Sequence, residues 1–231
     1  MQRKGLIVWG LIVFASVFLV RGVGWAGTVI DQNMIDVWGK KSGLVLFYSK
    51  KRLRIDQKDG KLSTIMDFRK DRIVILDHPS RTYVSYPFSW WEKQVSQKIQ
   101  GDQRTQSREI RVESTGAERL INGFKTRQIH VFIDNALIQD CWVTQDVNLE
   151  EMFTAIKEGV GRLTGLSEAE MAEKEEIYRK IIGWGFPILT HEYQQIGQST
   201  LREIAIVNRV ETRMLTKGLF GPPRGYKQRT P

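Results

Sequence analysis

The sequence predicts an α+β fold: an antiparallel, strongly curved β-sheet with helices covering its concave face. Three observations carry that expectation. Short segments of strand composition follow one another to about Thr144, separated by turn signals. Two stretches of helical periodicity then intervene before a final pair of strands. With 231 residues, 41% hydrophobic and 26% charged, the chain has globular composition and enough length to form a core without disulfides or metal. Helices laid on a curved meander enclose an apolar space, which in small barrels is commonly filled by side chains.

Taken in order, the first 26 residues read as a secretory leader. Arg3 and Lys4 open it, Gly5 to Val20 are uncharged, and Gly24-Trp25-Ala26 sets small residues three before and one before a cut. The uncharged stretch falls just short of the ~17–25 residues that span a bilayer. The expected location is the bacterial periplasm, with an uncleaved inner-membrane anchor as the alternative. Residues 27–217 then form a single domain, and 218–231, with three of the six prolines, a Pro/Gly-rich tail read as loop.

Leu44–Tyr48 and Arg52–Ile55 have strand composition, and Asp59-Gly60 signals a hairpin returning along Lys61–Phe68. Arg72–Leu76 is β-branched and apolar on both faces, hence central. Asp77-His78-Pro79-Ser80 turns into Thr82–Tyr86, and after Pro87 a helix from Ser89 to about Gln100 carries Trp90 and Trp91. Ser107–Glu113, Lys125–Asp134 and Leu137–Thr144 add strands, the last two joined at Asn135. Leu149, Met152, Phe153, Ile156, Val160 and Leu163 form one helical stripe whose other face is acidic. Ser167 and Glu170 make a capping box for a helix that runs to Ile182 and stops at Gly183 and Gly185. Strands return after Pro187 and over Leu201–Met214.

The formal charge of +9 becomes +6 when the leader, with Arg3, Lys4, Arg21 and no acids, is removed. A basic exported protein suits anionic partners: a membrane surface or an envelope polymer. Nucleic acid is not expected, since the chain leaves the cytoplasm and carries no nucleic-acid-binding signature. Asp146 to Glu176 holds nine acids against three bases, so an acidic helix there can meet Arg52, Arg54 and Arg72 at the sheet's rim.

No catalytic pattern stands out. His78, His130 and His191 lie far apart with one distant cysteine, which is no metal-ligand spacing. Asp77, His78 and Ser80 are neighbours in a turn, and a triad is a spatial arrangement. Gly159 and Gly161 lack the preceding strand of a phosphate loop. Cys141 shares strand parity with Leu137 and Val143, which predicts a buried thiol. No enzyme, no cofactor and no metal are expected.

Leu76-Asp77 to Thr82-Tyr83, Ile121-Asn-Gly-Phe-Lys-Thr126, Cys141-Trp-Val143, Phe186-Pro187 and Phe220-Gly-Pro-Pro-Arg-Gly-Tyr226 together resemble the exported bacterial family called domain of unknown function 4412. That family looks related to the LolA/LolB-like lipoprotein carriers. The resemblance implies an unclosed β-barrel with a helical lid, and a lipid or acyl chain as ligand. Trp90, Trp91, Phe132, Trp142, Met152, Phe153 and Ile156 are the expected lining of a hydrophobic pocket. The expected function is non-enzymatic binding of an amphiphile by a monomer. The alternative is an envelope interaction protein whose basic sheet surface meets anionic polymer or a protein partner.

Overall fold

The computed structural model describes residues 24–96, 108–149, 152, 168–196 and 199–230. These form one curved, unclosed sheet of twelve strands, antiparallel except at one edge. In chain order they are β1 (Gly24–Ile35), β2 (Lys41–Ser49), β3 (Arg52–Gln57), β4 (Leu62–Asp67), β5 (Arg72–Asp77) and β6 (Thr82–Pro87), then helix α1 (Phe88–Ser96). β7 (Ile110–Ile121), β8 (Phe124–Ile133) and β9 (Ala136–Thr144) precede helix α2 (Glu168–Trp184). β10 (Phe186–Ile196), β11 (Ser199–Thr216), a 3-10 turn (Lys217–Phe220) and the short β12 (Lys227–Gln228) complete the described chain.

Spatial order is β12-β6-β5-β4-β3-β2-β1-β11-β10-β9-β8-β7. Two meanders, β1–β6 and β7–β11, are thus joined where the first strand pairs with the last long one, from Gly24–Thr216 to Ile35–Ile204. The sequence reading contains no β1. Its Asp31-Gln32-Asn33 run breaks the apolar pattern, and its start overlaps the expected leader. The tail, read as loop, also holds structure: Phe220 is buried, and β12 adds a parallel edge beside β6.

The turns follow their chemistry. Asp134 and Asn135 both take positive φ between β8 and β9, as a type I′ hairpin requires. Gly60 does so after Asp59, whose carboxylate accepts from the Lys61 amide. The largest core cluster draws Ile30, Tyr48 and Leu53 from one meander and Trp142, Phe186 and Leu189 from the other. α1 packs on the β4–β5 part of that assembly, its Phe88 against Ile73.

α2 lies elsewhere. Its Ile177 and Ile181 pack with Ile129, Val131, Cys141 and Val143. Cys141 and Val143 alternate with Trp142 along β9, so α2 covers the face opposite Trp142. Two charged clamps hold it: Arg108 grips Glu173 with two donors, and Lys180 Nζ donates to the Ile110 carbonyl at 2.5 Å. Ser167, Phe153, Ile156 and the Gly159–Gly161 stretch lie outside the described residues, as does the end of the helix expected to reach Gln100.

Arg52 and Arg54 are not rim residues. Both are buried, because the 3-10 turn and tail cover the face of β3 that carries them: Arg54 donates to the Leu219 carbonyl, and Arg52 packs on Phe220. The basic–aliphatic alternation of β3 implied one wet face. Here both faces are covered.

Candidate functional site

Of the expected pocket residues, the fold brings Trp142 and Met152 into one cluster, both almost fully buried. Arg119 lies over the Trp142 ring, 3.8 Å from its centroid. Trp91 belongs to the α1 cluster, which shares Met66 and Phe68 with the main one. Trp90 is 38% exposed and stacks on Tyr86 at 4.2 Å. Phe132 sits under Arg111 and edge-on to His130. Trp90 and Phe132 thus lie apart from the Trp142–Met152 pair, and neither belongs to a described core cluster.

A cleft of about 240 Å³ opens between the residues following β9 and the end of α2. Val147, Leu149, Ile182, Trp184 and Phe186 supply its apolar wall, and Gln145 and Asn148 its polar mouth. Val147, Leu149 and Phe186 also pack in the main cluster beside Met152. Gly185 turns the chain from α2 into β10 at φ 143°, with its N–H facing the carbonyls of Ile181 and Ile182 at 3.2 and 3.1 Å. The glycine stop that the sequence predicts here also forms a wall of the cleft, which helix periodicity alone does not indicate. The apolar residues on both sides of Gly185 were the available signal.

Asp77 and His78 of the Asp77–Ser80 turn have structural partners. His78 joins Ser63 Oγ through Nε2 and Tyr226 OH through Nδ1, both at 2.7 Å. Ser63 also accepts from Arg54 and is 2% exposed, so the serine–imidazole–phenol contacts form a part-buried clasp that holds the tail. Asp77 accepts from the Ser80 amide, as a turn residue does. Among the described residues no group of three or more His, Cys, Asp or Glu could hold a metal, and no helix is long and apolar enough to cross a membrane.

Cys141 is fully buried, and desolvation pushes its thiol up to about 12. A thiol reagent should leave it unmodified under native conditions and label it on unfolding. Fast native labelling by a maleimide, read by mass spectrometry, would show that β9 opens.

Glu192 carries a raised pKa, first because burial disfavours its charge; Lys174 offsets this, and Glu203, directly opposite across β10–β11, adds to it. A raised carboxyl holds its proton in the folded state after the unfolded chain has lost it. Stability contributed by this group therefore falls as pH rises from about 4.3 through the raised value. Glu203→Gln removes the opposed charge and should stabilise by about 0.2–1 kcal/mol at pH 7. Denaturation at pH 4 should show little of that gain. A gain of equal size at both pH values would exclude the charge explanation.

The model of the family described as domain of unknown function (DUF4412) matches residues 34–226. The chain belongs to that family. The DUF4412 chain also shows structural similarity to PNGF-II, at 8% identity and a TM-score of 0.36, over 89% of this chain and 31% of that one. It is similar to a chain of the Pseudomonas aeruginosa MucA/MucB complex at 10% identity and a TM-score of 0.42, over 86% of this chain and 56% of that one. For a chain of MucB in complex with MucA(peri) the identity is 11% and the TM-score 0.42, over 86% and 55%. The DUF4412 chain thus spans less than two thirds of the chains it resembles. No curated protein matches it.

Proposed function

We propose that this is a non-enzymatic, monomeric binding protein of the periplasm, which takes a lipid, acyl chain or other amphiphile at the cleft beside Met152. The observation that carries this reading is a cleft of mixed lining whose apolar residues Val147, Leu149 and Phe186 are continuous with the main cluster. Its volume is below the ~300–1,000 Å³ of pockets for whole small molecules, and suits one apolar segment of a ligand. The Met152-Phe153-Ile156 stripe of the sequence supports assigning Phe153 and Ile156 to the same ligand site. The leader features support export with cleavage after Ala26, and the LolA/LolB-like resemblance supports the ligand class.

The test is native mass spectrometry of protein purified from its own periplasm, followed by titration with a fluorescent fatty acid. One co-purifying amphiphile and saturable binding are expected. Phe153→Asp should abolish binding by bringing an unpaired carboxylate to the apolar space. A wild-type protein that binds no amphiphile saturably loses this reading. The second reading, an envelope interaction protein meeting anionic polymer or a protein partner, then takes its place; the gathering of cations around Trp25 favours it.

A further inference from the structure

Three cations converge on one indole at the β2–β3 turn. Arg52 Cζ lies 4.0 Å, Lys50 Nζ 4.9 Å and Lys217 Nζ 5.6 Å from the ring centroid of Trp25. Phe220 packs on the Arg52 guanidinium at 4.6 Å. Arg52 is 6% exposed, yet neither Nε nor Nη2 has a hydrogen-bond partner. Arg54, two residues on and similarly buried, shows the contrast: it donates to Asp56, Ser63 and the Leu219 carbonyl.

Nearby charge compensates Arg52 only in part. Asp67 pairs with it in the β3–β4 register, but Arg69 holds the Asp67 carboxylate. Burial first, and then Arg69, press the Arg52 pKa down, and Asp67 only offsets them. Buried charges are ordinarily paired, because an unpaired one is costly. The turn itself holds Lys50 and Lys51 at φ 50° and 58°, positions that favour Asn and Gly in a two-residue hairpin.

Trp25 stands immediately before Ala26, so a cut after Ala26 removes the indole. The space it leaves faces three cations, Arg52, Lys50 and Lys217. We propose that this space is a binding site for a phosphate-class oxyanion, built by Arg52, Lys50 and Lys217, which Trp25 fills until leader cleavage opens it. The proposal rests on the cleavage reading given above. A tetrahedral oxyanion suits the arrangement: it brings acceptor oxygens and negative charge to an arginine whose Nε and Nη2 have no partner and to two neighbouring ammonium groups. The same chemistry is presented by free phosphate and by a phospholipid headgroup.

The experiment uses protein expressed with its own leader, its N-terminus read by mass spectrometry. For a chain beginning at Gly27, calorimetric titration with inorganic phosphate should show one site, and Arg52→Met should weaken it roughly tenfold or more. Co-sedimentation with phosphatidylglycerol and phosphatidylcholine vesicles separates the sources. Retention on the former that phosphate competes away supports the headgroup, and phosphate binding without retention supports the free ion. Binding of neither, or binding unchanged in Arg52→Met, overturns the site. Should Arg52→Met fail to fold, the exposed pair Lys50→Ala/Lys217→Ala replaces it, and unchanged binding again overturns the site. If the leader proves uncleaved, the processing reading fails on its own. Trp25→Ala is then compared with wild type in that longer chain: phosphate binding gained on removing the indole supports the site, and no gain overturns it.

Discussion

Gly185→Ala is expected to destabilise the fold by about 3 kcal/mol, on the order of 10 °C in Tm. At φ 143° an L side chain is strained before any contact is considered. A Cβ there would also collide with the backbone carbonyl of Thr144, its carbon 2.8 Å away. Thr144 is 1% exposed and pairs with Phe186, so the obstacle is a strand of the sheet and cannot swing aside. Gly183→Ala is the control: nothing lies within 4 Å and φ is ordinary, so it should be neutral or stabilise by up to about 1 kcal/mol. Thermal denaturation of both variants decides the matter. A Gly185→Ala protein melting within about 2 °C of wild type would mean that the α2–β10 junction relaxes freely, well below the shift its strain requires.

Phe88→Ala should cost about 3–5 kcal/mol, the largest effect expected of a single core truncation here. Phe88 is 1% exposed, opens α1, and packs on Ile73, with Phe68 edge-on at 6.0 Å. Its loss leaves a void between helix and sheet that β4 and β5, hydrogen-bonded on both sides, cannot close. Two tryptophans ride on that helix, so undocking of α1 should also shift the intrinsic fluorescence. Trp90→Ala, which gives up a half-exposed stack on Tyr86, should cost only about 0.5–1.5 kcal/mol. Comparable losses for the two variants in urea denaturation would show that Phe88 is not the anchor.

Local chemistry made much of the sheet readable. β2 to β6 and β8 to β11 arise where runs such as Arg72–Leu76 and Lys125–Asp134 meet turn residues, and the Asp59-Gly60 and Asn135 turns form as their backbone preferences dictate. Cys141 is buried as its apolar neighbours predict, though β9 is covered on both faces from Cys141 to Thr144 and the same-parity Leu137 is exposed. Other features depend on what lies across the sheet. β1 contains Asp31 and Asn33, and both find partners only in the fold: Lys58 Nζ lies 2.6 Å from Asp31 and 2.9 Å from Asn33. Without those partners the segment reads as polar and irregular.

The sequence by itself determined that the chain is a strand-rich domain with an amphipathic helix ending at glycine, because periods of 2 and 3.6 residues and turn stereochemistry act over a few residues. Only the tertiary structure decided that α2 covers the face opposite Trp142, that the tail buries Arg52 and Arg54, and that Tyr226 reaches His78. Strand alternation states that two faces differ. It does not state which one a distant segment will cover, since that depends on the pairing of β1 with β11 and on contacts far apart in the chain. The cleft has the same origin, for residues 145–149 and 182–186 become neighbours only when β9 and β10 lie side by side.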